Sequence, residues 1–279
     1  MKLNGKKFEH LHYGKQHKSN SYFTEESKII KEKEVVKDLG VMISNDTNYK
    51  AHINGVIKKA TQLVGWIMRT FKSRDKEVML TLWKSLVIPH LDYCSQLWNP
   101  LEKGIIQSIE QIQRSFTRQI NGLKNIDYWE RLKTLKLYSL QRRRERYIII
   151  YTWCILEGIT LNIGGVGGGD RDISWYTNPR QGRKCNIPLI KRSSYQSQIY
   201  NSIRMQGPKL FNCLPKAIRN LTNCSKDAFK RQLDKFLCTV PDEPLVSGYT
   251  GLRRAESNTV AVMASLRQHW SQRDGWSQY

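Results

Sequence analysis

Apolar residues recur at helical spacing through the middle of this sequence. From Ala51 to Phe71 they fall three and four positions apart and form one stripe, the pattern of an amphipathic helix. The stretch Asp75–Pro100 continues the pattern, and we expect Pro89 to bend or restart its helix because proline lacks a backbone donor. Similar stripes cover 105–120 and 140–155, where Ser139 is a predicted N-cap. Together these stripes predict a helical bundle.

Strand-like segments precede the bundle, and a glycine-rich run follows it. Residues 7–14 alternate between apolar and polar side chains, and residues 35–43 are rich in β-branched side chains. Two short strands alone make a marginal sheet, which suggests that the N-terminal strands of a larger sheet are missing from this chain. The run 161–170 lacks the Gly-Lys-Ser/Thr of a phosphate loop and is interpreted as a flexible linker.

The predicted fold class is therefore mainly α, with a two- to three-stranded sheet before a helical bundle and a small mixed basic module after it. We expect a mostly disordered tail at the end, since prolines, glycines and polar residues dominate there. The predicted boundaries are 1–48 for the sheet remnant, 49–160 for the bundle, 161–180 for the linker, 181–240 for the module and 241–279 for the tail.

Charge is the strongest compositional signal. Lysine and arginine number 46 against 24 acidic residues, which gives a net charge of +22. Such a field favours polyanions, with nucleic acid first and an anionic membrane second. A basic protein without a specific partner is the alternative that charge alone leaves open.

The basic residues concentrate between Arg131 and Arg146. The run Arg142–Arg146 spans more than one helical turn, so we expect it to fan around its helix and to place guanidinium groups on the surface. Basic residues on the preceding helices would extend this cationic face along a nucleic-acid backbone. The candidate nucleic-acid-binding residues of the bundle are Lys58, Lys59, Arg114, Arg118, Arg131, Arg142, Arg143, Arg144 and Arg146.

Aromatic side chains interleave with this run. They would stack on bases in one interpretation and belong to the core in the other, and the second is favoured. These residues are Tyr128, Trp129, Tyr138 and Tyr147.

Other chemistry finds little support. His10 and His12 would share one face of a strand, but the sequence offers them no further zinc ligands, so no metal site is predicted. Pro241-Asp242-Glu243 resembles the opening of a nuclease motif, but no lysine follows Lys235, so a nuclease is rejected. The six cysteines form no Cys-x-x-Cys pair and are typical of reduced thiols. We expect a nuclear or cytoplasmic protein that is neither secreted nor bound to a membrane.

Several sequence segments between about residue 1 and residue 255 resemble reverse transcriptases of LINE-type (non-long-terminal-repeat, jockey-like) retrotransposons. Two of these segments lie in the predicted helical bundle, Thr81-Leu82-Trp83-Lys84-Ser85-Leu86-Val87-Ile88-Pro89-His90 and Leu137-Tyr138-Ser139-Leu140-Gln141-Arg142-Arg143-Arg144-Glu145-Arg146-Tyr147. Val36-Lys37-Asp38-Leu39-Gly40-Val41 resembles the primer grip, and 1–8 resembles the palm segment after the catalytic aspartates. Residues 207–215 and 229–237 are similar to the family's C-terminal region.

The resemblance implies a palm end, a helical thumb and a downstream module of an RNA-directed DNA polymerase, a nucleotidyltransferase. Lys7 would match the family's palm lysine and joins the candidate nucleic-acid-binding residues. No Asp-Asp occurs in the sequence, so the paired aspartates that would hold two Mg²⁺ ions are missing. We expect a fragment that binds the RNA or DNA of a template–primer duplex, is inactive alone and needs an upstream polymerase portion. The alternative is a non-binding relic or a helical protein-interaction module.

Overall fold

Helices form most of the structure, as the apolar stripes predict. The computed structural model describes residues 7–13, 21–24, 27–160, 173–189, 200, 202–244 and 258–264. The α-helices with named bounds are α1 (Lys50–Thr70), α2 (Lys76–Leu82), α3 (Ile88–Asp92), α4 (Ser95–Trp98), α5 (Lys103–Thr117), α6 (Tyr128–Leu135), α7 (Leu140–Leu156), α8 (Ile203–Asn212), α9 (Lys216–Arg219) and α10 (Lys226–Leu237). Two antiparallel hairpins pair β1 (Val35–Asp38) with β2 (Val41–Ser44) and β3 (Trp175–Asn178) with β4 (Gly182–Cys185).

The segment 35–43, predicted to be one strand, is a hairpin. Leu39 and Gly40 both have positive φ, 44° and 87°, and together they form the turn between β1 and β2. A two-residue turn with left-handed backbone matches the twist of the strands on either side, and glycine favours it. In the first predicted strand, residues 7–13 make only a parallel bridge from His10 to Glu32.

The chain stays helical through Pro89, and the α-helical segment α3 restarts at Ile88 with the proline in its first turn. The five residues Trp83–Val87 form a π-helical turn between α2 and α3. This wider turn ends at Val87, two positions before the proline, in the stretch where a regular α-helix would lose a hydrogen bond and meet the ring. The break falls later, at Tyr93 and Cys94, where Cys94 adopts φ 50° before α4.

Helix α7 connects two hydrophobic cores. The first core packs α1 to α5 together, with Trp83 and Phe116 in ring contact at 4.7 Å, and includes Leu140 from the first turn of α7. The second core packs the later turns of α7 against α8 and α10, where Trp153 stacks on Phe229 at 4.5 Å. The cap predicted at Ser139 is confirmed, because its hydroxyl accepts a hydrogen bond from the Arg142 amide.

The predicted domain boundaries divide the second core. Helix α7 falls within the predicted bundle, yet its last turns pack with residues assigned to the C-terminal module. Strand β3 begins inside the predicted linker, whose residues 161–172 lie outside the described ranges. Within the predicted tail, residues 260–264 are helical and Val260 is fully buried in the second core, while 245–257 and 265–279 lie outside the described ranges.

Candidate nucleic-acid interface

The arginine run at the start of α7 lies largely inside the protein, which corrects the expectation that it fans outward. The Arg142 side chain has no exposed surface and that of Arg144 is 2% exposed. The Arg142 guanidinium donates to the carbonyl oxygens of Val240 (3.0 Å), Pro241 (2.8 Å) and Asn258 (3.0 Å). These carbonyls are 98 to 116 residues away in sequence, so Arg142 holds the C-terminal segments against α7.

The other arginines of the run also have internal partners. Arg143 donates from Nε and Nη2 to the Asp92 carboxylate, at 2.9 and 2.6 Å. Arg146 donates from Nη2 to Asp234 at 2.7 Å. Arg144 donates from Nε to the amide oxygen of Asn99 at 3.0 Å. The sequence predicted phosphate contacts here, but the guanidinium groups instead bind side chains of α3, α10 and the loop after α4.

The arginine run is buried because acidic side chains cluster at the N-terminus of α7, and we call this cluster the polar junction. The Glu110 carboxylate accepts hydrogen bonds from the amides of Leu140 (3.0 Å) and Gln141 (3.4 Å). Asp242 accepts from the Ser139 amide (2.6 Å) and hydroxyl (2.7 Å). Carboxylates at a helix N-terminus satisfy free amides and interact favourably with the helix dipole. The buried arginines balance the charge of these acids.

Burial raises the pKa values of two acidic side chains near this junction. It raises the pKa of Glu110 to about 7 against the lowering effect of the Tyr128 hydroxyl, and Asp242 adds to the rise. Burial likewise raises the pKa of Glu145 to about 7, against the lowering effect of Arg142. Glu145 accepts a hydrogen bond from the Val260 amide at 2.9 Å, so both acids connect distant segments.

A second arginine group surrounds Tyr128. The Arg114 guanidinium lies 4.2 Å and that of Arg131 lies 5.6 Å from the centre of the Tyr128 ring. Arg131 is buried and donates to the carbonyls of Ile126 (3.0 Å) and Arg114 (3.1 Å). Burial lowers the pKa of Arg131, and the positive charges of Arg114 and Arg118 lower it further. Of these, Arg118 is exposed and Arg114 is half-buried, so both remain accessible to a ligand.

Two of the four interleaved aromatics are buried, and the other two, Tyr138 and Tyr147, are half-buried. Tyr128 and Trp129 are 2% and 7% exposed. Tyr147 donates to Asp92 at 3.1 Å, and the Tyr138 hydroxyl lies 3.4 Å from the Asp234 carbonyl oxygen. These contacts favour a structural role for the four rings over stacking on bases.

Two predicted lysines of α1 lie on the surface, and one of them borders a basic groove. Lys58 and Lys59 are both exposed. Lys59 lines a cavity of about 330 Å³ together with Lys37 of β1 and His90 and Tyr93 from the region of α3. No carboxylate is among the described residues that line it, so the groove is cationic. Lys7 is exposed too, in the N-terminal segment.

The groove is built by docking the β1–β2 hairpin onto the helices. The Tyr93 hydroxyl donates to the Leu39 carbonyl oxygen at 2.6 Å, and the Tyr93 ring packs 3.4 Å from where a Cβ on Gly40 would lie. The Met42 amide donates to Nδ1 of His52 at 3.4 Å, and burial lowers the pKa of that histidine. The sequence did not single out Lys37 or His90 as nucleic-acid-binding residues, although both lie in segments that carry the family resemblance. Only the fold brings them to Lys59.

Three features bear on the other chemistry that was considered from the sequence. The chain contains no adjacent aspartates, the pair that would hold two Mg²⁺ ions in the polymerases it resembles. Asp242, in the nuclease-like triplet, binds the start of α7. The described cysteines are unbridged, and burial raises the pKa of Cys185 to about 12, which disfavours a reactive thiolate.

Within the described ranges, every helix is too short or too polar to cross a lipid bilayer. Comparison with known proteins gives one significant relative, the uncharacterized protein B0403.1 of Caenorhabditis elegans. It is 25% identical to this chain over 126 residues, which cover 44% of this chain and 64% of the nematode protein. The matched part thus spans less than two thirds of that relative. No protein-family model and no solved structure matches the chain.

Proposed function

We propose that this chain binds template–primer nucleic acid as the palm-end and thumb portion of a LINE-type RNA-directed DNA polymerase, without catalysing phosphoryl transfer itself. The observation that carries the proposal is the cationic groove between the β1–β2 hairpin and α1. Lys37, Lys59 and His90 line it, and no described lining residue is acidic. Lysine ammonium groups on such a surface attract phosphate oxygens and release counterions.

The net charge supports the same proposal. The excess of 22 positive charges remains after the internal arginine pairs are counted, because each pair combines one cation with one anion. Lys58, Arg118 and Lys7 are exposed and add to the positive charge of the surface. An upstream polymerase portion would provide the catalytic aspartates and the metal ions.

The test is fluorescence anisotropy of a labelled RNA–DNA hybrid and a labelled DNA duplex at several salt concentrations. On duplex DNA each phosphate contact contributes a log–log slope of about −0.9, so Lys37→Gln with Lys59→Gln should make the slope shallower by about 1.8. The matched control is Lys226→Gln with Lys235→Gln, two exposed lysines of α10 beside the second core, which should leave the slope unchanged. A flat salt response of the wild-type chain, or equal slopes in both double variants, would refute the proposal.

A helical module without nucleic-acid affinity is the second candidate, and the internal position of the arginine run favours it. Arg142, Arg143, Arg144 and Arg146 all bind groups of the protein itself. A wild-type chain that remains folded and gives no anisotropy change at low salt would establish this candidate instead.

A further inference from the structure

The N-terminal segment pairs with a later extended segment of the chain. The His10 amide donates to the Lys31 carbonyl oxygen at 3.3 Å, and the Lys33 amide donates to the His10 carbonyl oxygen at 2.8 Å. This is a parallel bridge in which His10 lies opposite Glu32. Pairing therefore brings together side chains that are 22 positions apart in the sequence.

Strand alternation places three candidate metal ligands on one face of this pair. His10 and His12 are two residues apart, so both point to the same side, and Glu32 opposes His10 on that side. One ligand atom from each of the three residues lies within 4.8 Å of the others. On the opposite face, Glu9 forms an ion pair with Lys33, which confirms the alternation.

Aromatic contacts hold the two imidazoles in place. The rings of His10 and His12 lie 4.1 Å apart at 70°, and the Tyr22 ring lies 4.3 Å from His10. Both histidines are half-buried, whereas Glu32 is exposed. The cluster thus has a packed side that orients the imidazoles and an open side through which an ion can enter.

The geometry points to a binding site for a divalent transition-metal ion of the zinc class, held by His10, His12 and Glu32. Two imidazole nitrogens and one carboxylate oxygen are a donor set that Zn²⁺ accepts, with water or a further group in the fourth position. Tetrahedral zinc with bonds of about 2.0–2.1 Å separates its ligand atoms by about 3.3 Å. The three ligand atoms lie within 4.8 Å of one another, so small side-chain adjustments would be needed to reach tetrahedral spacing around an ion.

A bound ion would tie the N-terminal segment to residues 31–33. Binding to the folded state alone stabilises that state by an amount that rises with metal concentration. The site shares no residue with the lining of the basic groove, so it does not depend on the proposed nucleic-acid binding.

The test is a Zn²⁺ titration of the full chain, freed of metal by a chelator, in competition with a chromogenic zinc indicator. We expect one ion per chain. Since even the loss of an outer partner weakens metal affinity about 10- to 100-fold, Glu32→Gln and His10→Asn should each weaken it by at least about tenfold. Glu77→Gln, the same change at an exposed glutamate on α2, is the control and should bind zinc as the wild type does.

Glu32→Gln is the decisive variant, because an exposed isosteric change preserves the fold, and circular dichroism checks this. Co²⁺ substitution adds an independent readout, since thiolate ligation gives an intense near-ultraviolet charge-transfer band and nitrogen–oxygen ligation does not. Absence of that band in a Co²⁺-loaded chain supports the site. Failure of the wild type to bind zinc, unchanged affinity in Glu32→Gln, or a thiolate band would overturn it.

Discussion

Replacing Arg142 by methionine separates a structural role for the arginine run from a nucleic-acid-binding role. Methionine keeps much of the length and apolar volume of the stem and removes only the guanidinium. Three carbonyl oxygens then lose their donor, those of Val240, Pro241 and Asn258. The carboxylates of Glu145 and Asp242, 3.8 and 3.9 Å from Arg142 Nε, lose their nearest positive charge.

The expected cost follows from the burial of this group. Removing one partner of a buried ion pair costs about 3–5 kcal/mol because the remaining charge stays buried without compensation. Typical domains have a free energy of unfolding of about 5–15 kcal/mol, so the variant loses a large fraction of it. At about 2–4 °C per kcal/mol for chains of this size class, the melting temperature should fall by roughly 10 °C.

The assay combines thermal unfolding, followed by circular dichroism, with the anisotropy titration on folded protein. Arg142→Met should lower the melting temperature and leave the salt slope of binding unchanged. Arg118→Met is the matched control: this exposed residue should change stability by no more than about 0.5 kcal/mol. If it contacts a phosphate, its loss makes the slope shallower by about 0.9. An Arg142→Met protein with wild-type stability and a shallower salt slope would refute the internal position of the run.

Three further changes probe the second core and the polar junction. Phe229→Ala removes the ring stacked at 4.5 Å on Trp153 and should cost about 3–5 kcal/mol in a urea titration; a loss below about 1 kcal/mol would contradict this packing. Gly207→Ala places a methyl group against the Thr152 hydroxyl and should cost about 1–3 kcal/mol, with partial recovery when Thr152→Ala is added; strictly additive losses would show that the two sites do not touch. Because the folded-state pKa of Glu110 is raised from 4.5 to about 7, the native state binds more protons across that window and stability falls as pH rises. Urea midpoints at pH 5 and pH 7.5 should therefore differ by less in Glu110→Gln than in the wild type, with a contribution of up to about 3 kcal/mol, and equal differences would contradict the raised pKa.

The local features of the fold follow from the sequence because their causes are local. Apolar side chains at helical spacing predict α1 and α5, since the burying face repeats every 3.6 residues. The cap at Ser139 depends only on the amide three residues later. The tight turn at Gly40 was missed because β-branched residues on both sides of Leu39 and Gly40 led us to interpret 35–43 as one strand, although a two-residue turn can divide such a segment.

The tertiary structure decides which charged residues face solvent, and this could not be predicted from the sequence alone. Arg142 and Lys59 look alike as cations on helices, yet one is fully buried and the other is exposed. The partners that make this difference, such as Asp92 for Arg143 and Asp234 for Arg146, are 51 and 88 residues away. Periodicity reports the apolar face of a helix, but a buried arginine is stabilised by distant carbonyls and carboxylates, which leave no mark on the local pattern. The sequence therefore determined the helices and the overall charge, and only the packing of those helices decided where the charge is available to a ligand.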